Sequence, residues 1–146
     1  KTYKGSCHCG RVVFEAKADI KKVSECNCSI CCKKGILHHP VDDECFTLIK
    51  GKESLSLYQF GTNEASHWFC RFCGIHAFGR PRMNPNRYTI NVRCLDKFAE
   101  IIKTATQTSF NGQRHPRDRW MTSEVIETRA SLTHFWSSLR PVRVKK

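Results

Sequence analysis

The chain has no apolar run approaching the ~18 residues that a membrane-spanning helix needs. No hydrophobic signal segment opens it, since Lys1 to Ser6 is short and polar; a first residue other than methionine leaves room for a leader removed earlier. Internal repeats and low-complexity segments are also lacking, which sets repeat architectures aside. Acidic residues are scarce: 13 Asp and Glu stand against 25 Lys and Arg, a formal net charge of +12. That surplus suits an acidic partner, whether nucleic acid, an anionic surface or a small polycarboxylate ligand, or a merely solubilising surface. The basic residues are scattered rather than packed into one block, which argues against nucleic acid.

Cysteine is abundant instead, with ten in 146 residues, a length that suits one domain with a modest core. Seven of the ten fall in three clusters: Cys7-His8-Cys9, Cys26-Asn27-Cys28-Ser29-Ile30-Cys31 and Cys70-Arg71-Phe72-Cys73. Such C-x-C and C-x-x-C spacings aim several thiolates at one point, and C-x-C pairs make poor disulfides. Metal is therefore the reading, and zinc fits tetrahedral sulfur ligation best. A closed structural site takes four ligands, which leaves three, the arrangement of a zinc with an open position. Two zincs held by seven thiolates would bring the formal charge to roughly +9.

Cys7 and Cys9 with Cys70 and Cys73 make a plausible closed site; Cys7/Cys9 with Cys26/Cys28 is also geometrically possible. Gly10 and Gly74 allow the sharp turns that such knuckles need. Cys26, Cys28 and Cys31 form the three-thiolate set, suited to chemistry on a thiol cosubstrate rather than hydrolysis; the alternative is a second structural zinc with a histidine or cysteine as fourth ligand. His38 or His39 could reach that metal, and His67 and His76 could support the knuckle at 70–73. Cys32 reads as a bystander, His8 as solvent-facing, and Cys45 and Cys94 as buried thiols. Trp68, Phe69, Phe72 and Phe78 read as core.

Short strands are expected at 11–17, 21–26, 36–41, 45–50, 54–60, 65–69 and 87–92, bounded by Gly, Pro, Asp or Asn, as in a mainly β domain. Ser29 to Lys34 reads as a tight turn or one helical turn closed by Gly35, 80–86 as a loop, and Asn111-Gly112 as a turn. Val125, Leu132, Phe135, Trp136 and Leu139 recur at helical spacing, with Ser123 as cap. This C-terminal helix would pack on its own domain or, in a homodimer, on a second copy; Val142 to Lys146 reads as a loose basic tail.

Gly5-Ser6-Cys7-His8-Cys9-Gly10, followed by Val12-Val13-Phe14-Glu15, resembles the opening of the glutathione-dependent formaldehyde-activating enzyme family. The segment Cys26–Cys31 with Lys33 resembles its second motif, and Phe69 to Gly74 with Phe78 its third. Asn91 to Asp96 and Phe110-Asn111-Gly112 look closer to the family's centromere protein V branch. The resemblance runs over about residues 3 to 120 and departs at Cys32, where the enzyme branch commonly carries Arg or Lys.

The resemblance implies stacked antiparallel sheets of the β-tent zinc-binding fold, with residues 1–122 as the zinc-binding domain and 123–146 as the helix and tail. It implies a structural zinc on Cys7, Cys9, Cys70 and Cys73 and a catalytic-type zinc on Cys26, Cys28 and Cys31. It also implies a cytoplasmic carbon–sulfur lyase that makes S-hydroxymethylglutathione from formaldehyde, or a related aldehyde, and glutathione. Lys33, Lys34, Arg71 and Arg80 are then candidates to hold the glutathione carboxylates. The rival readings are a zinc-stabilised binding module for an acidic protein or nucleic acid, and a metal or thiol carrier.

Overall fold

The computed structural model describes residues 1–118. Its first compact unit is Lys1–Gln113; a second begins at Arg114. The helix expected near 123–139 lies outside the described residues.

Among the described residues there are ten strands and two short α-helices, with 3-10 turns between some of them: β1 Thr2–Ser6, β2 Val13–Lys17, β3 Lys22–Cys26, α1 Ser29–Lys34, β4 Leu37–Val41, β5 Phe46–Lys50, β6 Leu55–Tyr58, β7 Ser66–Cys70, β8 His76–Arg80, β9 Tyr88–Asn91, α2 Phe98–Thr104 and β10 Thr106–Phe110. They form a three-stranded sheet, ordered β1-β2-β5, and a seven-stranded sheet, ordered β10-β3-β4-β9-β8-β7-β6. The strand pairs are antiparallel except β10 with β3, which run parallel in the register Phe110↔Cys26. The mainly β, two-sheet architecture is the one the sequence leads one to expect.

Phe14 and Ala16 of β2, with Val12 just before it, alternate into the core, as a strand with one face on a core requires. Val13, on the other face, is buried as well, beside the register shift between Val13 and Phe14. Phe14 and Phe46 come from the small sheet, and Phe78 and Tyr88 from the large one. Their rings meet at centroid distances of 5.7 Å (Phe14–Phe46), 5.9 Å (Phe14–Phe78), 4.7 Å (Phe46–Phe78) and 4.1 Å (Phe46–Tyr88). This aromatic cluster, with Val12, Leu37, Ile90 and Val92 around it, joins the sheets. Truncating one such ring typically costs about 3–5 kcal/mol. Gly5 pairs with Phe14 across β1 and β2. A Cβ at Gly5 would stand 2.5 Å from the Phe14 ring, so only glycine lets the strand lie this close.

The strands expected from 11–17 through 87–92 are all present. Four elements were not anticipated. β1 is the polar opening segment, held by pairing with β2. β8 carries Ala and Gly among its residues, and β10 is a polar edge strand, so neither shows an alternating apolar pattern. α2 places Phe98, Ile101 and Ile102 on one side at helical spacing and buries Ile101. Phe72, expected in the core, is 59% exposed. It sits at the tip of the 70–73 knuckle with the Arg11 guanidinium 4.4 Å from its ring centre.

Candidate metal centres

The structure gathers the seven clustered cysteines into two groups. In the first, the sulfurs of Cys7, Cys9, Cys70 and Cys73 all lie within 4.8 Å of one another. Cys7 and Cys9 stand in the turn between β1 and β2, where Gly10 adopts φ 69° and its N–H returns to the Cys7 carbonyl at 3.0 Å. Cys70 ends β7, and Gly74, at φ 75°, donates its N–H to the Cys70 carbonyl at 2.8 Å. Each glycine supplies a left-handed conformation that a side chain would resist.

All ten cysteines are free thiols. The Cys7–Cys9 and Cys9–Cys70 sulfurs stand 3.6 Å apart, too far for a disulfide. That separation is close to the edge, about 3.8 Å, of a tetrahedron with metal–sulfur bonds of about 2.3 Å. The Val12 N–H also donates to the Cys7 sulfur at 3.3 Å. Burial pushes the Cys7 thiol up to about 11, so a compensating cation is what would hold it ionised. This group can hold a four-coordinate metal.

In the second group, the sulfurs of Cys26, Cys28 and Cys31 lie within the same span of one another. Cys26 ends β3, Cys28 occupies the position before α1, and Cys31 lies inside that helix. The helix is only six residues long because Gly35, at φ 58°, ends it and returns its N–H to the Cys31 and Cys32 carbonyls. Hydrogen bonds from Cys26 and Cys31 pull Cys28 down to about 2, while those with Cys26 and Cys28 push Cys31 far above the ordinary thiol range. Three sulfurs this close share one negative charge unless a cation compensates the others, so the donor set fits a metal ion. Among the described residues no fourth cysteine, histidine or carboxylate completes the group.

A loop closes over this second group. β10 leads into it, and Asn27 anchors it three times. The Asn27 N–H donates to the Phe110 carbonyl at 3.2 Å and its side-chain amide to Asn111 Oδ1 at 3.1 Å; its Oδ1 accepts from the Gln113 N–H at 3.0 Å. Gly112 is thereby laid against Cys26 and Cys28.

Three histidines lie nearby. His38 on β4 brings Nε2 to 3.3 Å from the Cys31 sulfur and Nδ1 to 3.1 Å from Thr89 Oγ1. Burial depresses it to about 4, so its ring is neutral at pH 7. His39 points to the other face of β4, where its Nδ1 meets the Lys22 carbonyl at 2.9 Å. His67 and His76 pack with ring centres 5.6 Å apart. Burial lowers both, His76 to about 3, and among the described residues neither His67 Nε2 nor His76 Nδ1 has a hydrogen-bond partner.

The remaining expected residues divide. Cys32 is exposed, and Cys94 is pushed up to about 12 by burial. Arg80 is engaged elsewhere: it pairs with Asp43, donates to the Pro85 carbonyl at 3.1 Å and lies 4.0 Å from the Tyr88 ring centre. The Lys34 ammonium lies 4.7 Å from the Phe69 ring centre. Lys33 lines a groove of about 190 Å³ with Ser29, Ile30, Tyr58 and Phe60, beside the three-cysteine group. The roles of Asn27, Thr89 and Phe60 were not anticipated. Their signals in the sequence are single polar or aromatic residues, which carry meaning only once strand pairing places them beside the cysteines.

A thiol-rich protein of two β sheets, with one four-sulfur and one three-sulfur cluster able to bind metal, is the class that these features define. The chain belongs to the glutathione-dependent formaldehyde-activating enzyme family, whose model matches residues 2–111. Its fold is also similar to a crystal structure of a Rhodobacter sphaeroides protein, at a TM-score of 0.66 and 36% sequence identity, over 72% of this chain and 99% of that one. Among the described residues no helix is long and apolar enough to cross a membrane.

Proposed function

We propose that this chain is a zinc-dependent carbon–sulfur lyase that forms S-hydroxymethylglutathione from glutathione and formaldehyde. Family membership supports glutathione and formaldehyde as the substrates. The observation that carries the reading is the contrast between the two clusters. Four sulfurs make a set closed to further ligands, whereas three leave one position open. Cys7, Cys9, Cys70 and Cys73 would hold a structural zinc, and Cys26, Cys28 and Cys31 a second zinc beside the groove.

Bound by three thiolates, zinc supplies a position at which a fourth sulfur is kept ionised and nucleophilic. In the reaction a carbon–sulfur bond forms as the carbonyl π bond breaks, and the proton given up by the thiol ends on the former carbonyl oxygen. Lys33 at the groove would attract a glutathione carboxylate. The loop at 110–113 lies against Cys26 and Cys28 and would help to keep their spacing. A cytoplasmic location would suit a glutathione-dependent reaction and cysteines kept free of disulfides.

Exchange spectroscopy of the glutathione–formaldehyde equilibrium tests this. Zinc-loaded protein is expected to accelerate exchange, and Cys31→Ser to abolish the acceleration while the fold persists. An unchanged rate in the variant would remove the three-cysteine site from the reaction.

A further inference from the structure

We propose that His38 is a positioning residue for the three-cysteine site, donating a hydrogen bond from Nε2–H to the Cys31 sulfur while Thr89 fixes the ring in that tautomer. The inference rests on the reading that Cys26, Cys28 and Cys31 hold a metal. A metal-held Cys31 sulfur is a thiolate, which can only accept. At 3.3 Å, the hydrogen between it and His38 Nε2 must therefore sit on the ring. A neutral imidazole has one N–H, so Nδ1 is bare, and the hydroxyl of Thr89, 3.1 Å away, donates to it.

The strand pairing makes this geometry specific. β4 and β9 pair with His38 opposite Asn91 and Pro40 opposite Thr89, which brings Thr89 alongside the His38 ring. Alternation along β4 turns the neighbouring His39 to the Lys22 carbonyl, so only one of two adjacent histidines can serve. His38 is not itself within ligand range of the whole group: its ring nitrogens do not join the span of 4.8 Å that unites the three sulfurs. A hydrogen bond to a ligating sulfur draws charge from it and fixes its direction. At a metal held by three thiolates, that donor offsets part of the excess negative charge.

Tautomer separates this role from ligation. A histidine that bound metal through Nε2 would carry its proton on Nδ1 and donate it to Thr89. Long-range proton–nitrogen spectra of ¹⁵N-histidine protein loaded with zinc read this directly, with His38 assigned by loss of its signals in His38→Gln. The expected result is an Nε2–H tautomer; an Nδ1–H tautomer or a metal-shifted Nε2 overturns the proposal.

Cobalt(II)-loaded variants give a second reading. His38→Leu should shift the sulfur-to-cobalt charge-transfer band to lower energy at unchanged ligand-field intensity. His38→Gln, whose amide can replace the donor, should restore the band. An unmoved band in His38→Leu also overturns the proposal. Metal content separates the two levels of failure. Two metals per chain with the wrong tautomer would sink the role of His38 alone. One metal per chain, unaffected by Cys31→Ser, would sink the underlying reading of the site.

Discussion

A Cβ placed on Gly112 would stand 2.5 Å from the sulfur of Cys26, nearer than non-bonded atoms approach. Residues far apart in the chain are thus in contact, through the parallel pairing of β10 with β3 and the Asn27 clamp. The same Cβ would lie 2.8 Å from the Cys28 Cβ and 3.3 Å from its backbone nitrogen, so neither cysteine can yield without moving a sulfur.

Gly112→Ala should therefore act on the metal rather than on the fold. It is expected to weaken metal retention at the three-cysteine site by roughly 10–100-fold, the range for residues that position ligands. Metal release to a chelator would show one fast and one slow component per chain in the variant. Release indistinguishable from the parent protein would show that the loop does not hold the cysteines in place.

The four-cysteine group should behave in the opposite way. Cys7 and Cys70 are fully buried, and the group ties the turn after β1 to the end of β7. Binding energy at such a site is folding energy. Cys70→Ser is expected to lower the thermal midpoint by roughly 10 °C or more. Cys31→Ser, at the edge of the core on the short helix α1, should lower it far less. Circular dichroism melts of the two variants check the contrast, and equal losses would erase the distinction between the sites.

Much of this arrangement is legible in the sequence because cysteine spacing is a local signal. Two ligands three residues apart must share a knuckle wherever the chain goes, and Gly10, Gly35 and Gly74 mark the turns as expected. The strand pattern around Val12, Phe14 and Ala16 is equally local. Partition of the clusters is not local: it depends on β7 and the turn after β1 meeting in space, so spacing alone left two pairings open. β10 shows why other parts stayed hidden. Its sequence, Thr-Gln-Thr-Ser-Phe, has no apolar alternation, and it becomes a strand only because the exposed edge of β3 is there to pair with. Phe72 was misplaced for a related reason: aromatic residues beside a knuckle read as core until the turn points one of them outward.

His76 should make the protein sensitive to acid. It is 4% exposed, burial depresses it to about 3, and its Nδ1 has no partner among the described residues. Unfolding returns it to about 6.5, so the unfolded chain binds the proton more readily. Its contribution to stability is complete above that pH and is lost as pH falls from about 6.5 toward 3. One such group adds at most about 1.4 kcal/mol per pH unit. His76→Leu should give a shallower fall in urea midpoint between pH 7 and pH 5. Parallel curves for the two proteins would mean that acid acts through other groups.

Lys33 and Arg80 should respond differently to loss of charge. Both were candidates to hold a glutathione carboxylate, but Arg80 is held by Asp43, Pro85 and Tyr88, whereas Lys33 lines the groove beside the three-cysteine group. A surface pair of this kind contributes about 0.2–1 kcal/mol, and reversing the charge adds repulsion. Lys33→Glu is therefore expected to raise the KM for glutathione by roughly 2–10-fold with kcat unchanged, because an attraction equal in ground and transition states affects binding alone. The increase should shrink with added salt, which screens exposed charges. Arg80→Ala should leave KM alone and lower stability instead, having lost a guanidinium packed on Tyr88. Initial rates at varied glutathione and two salt concentrations decide the matter. A KM that rises in Arg80→Ala and not in Lys33→Glu would move the carboxylate site away from the groove between α1 and the end of β6.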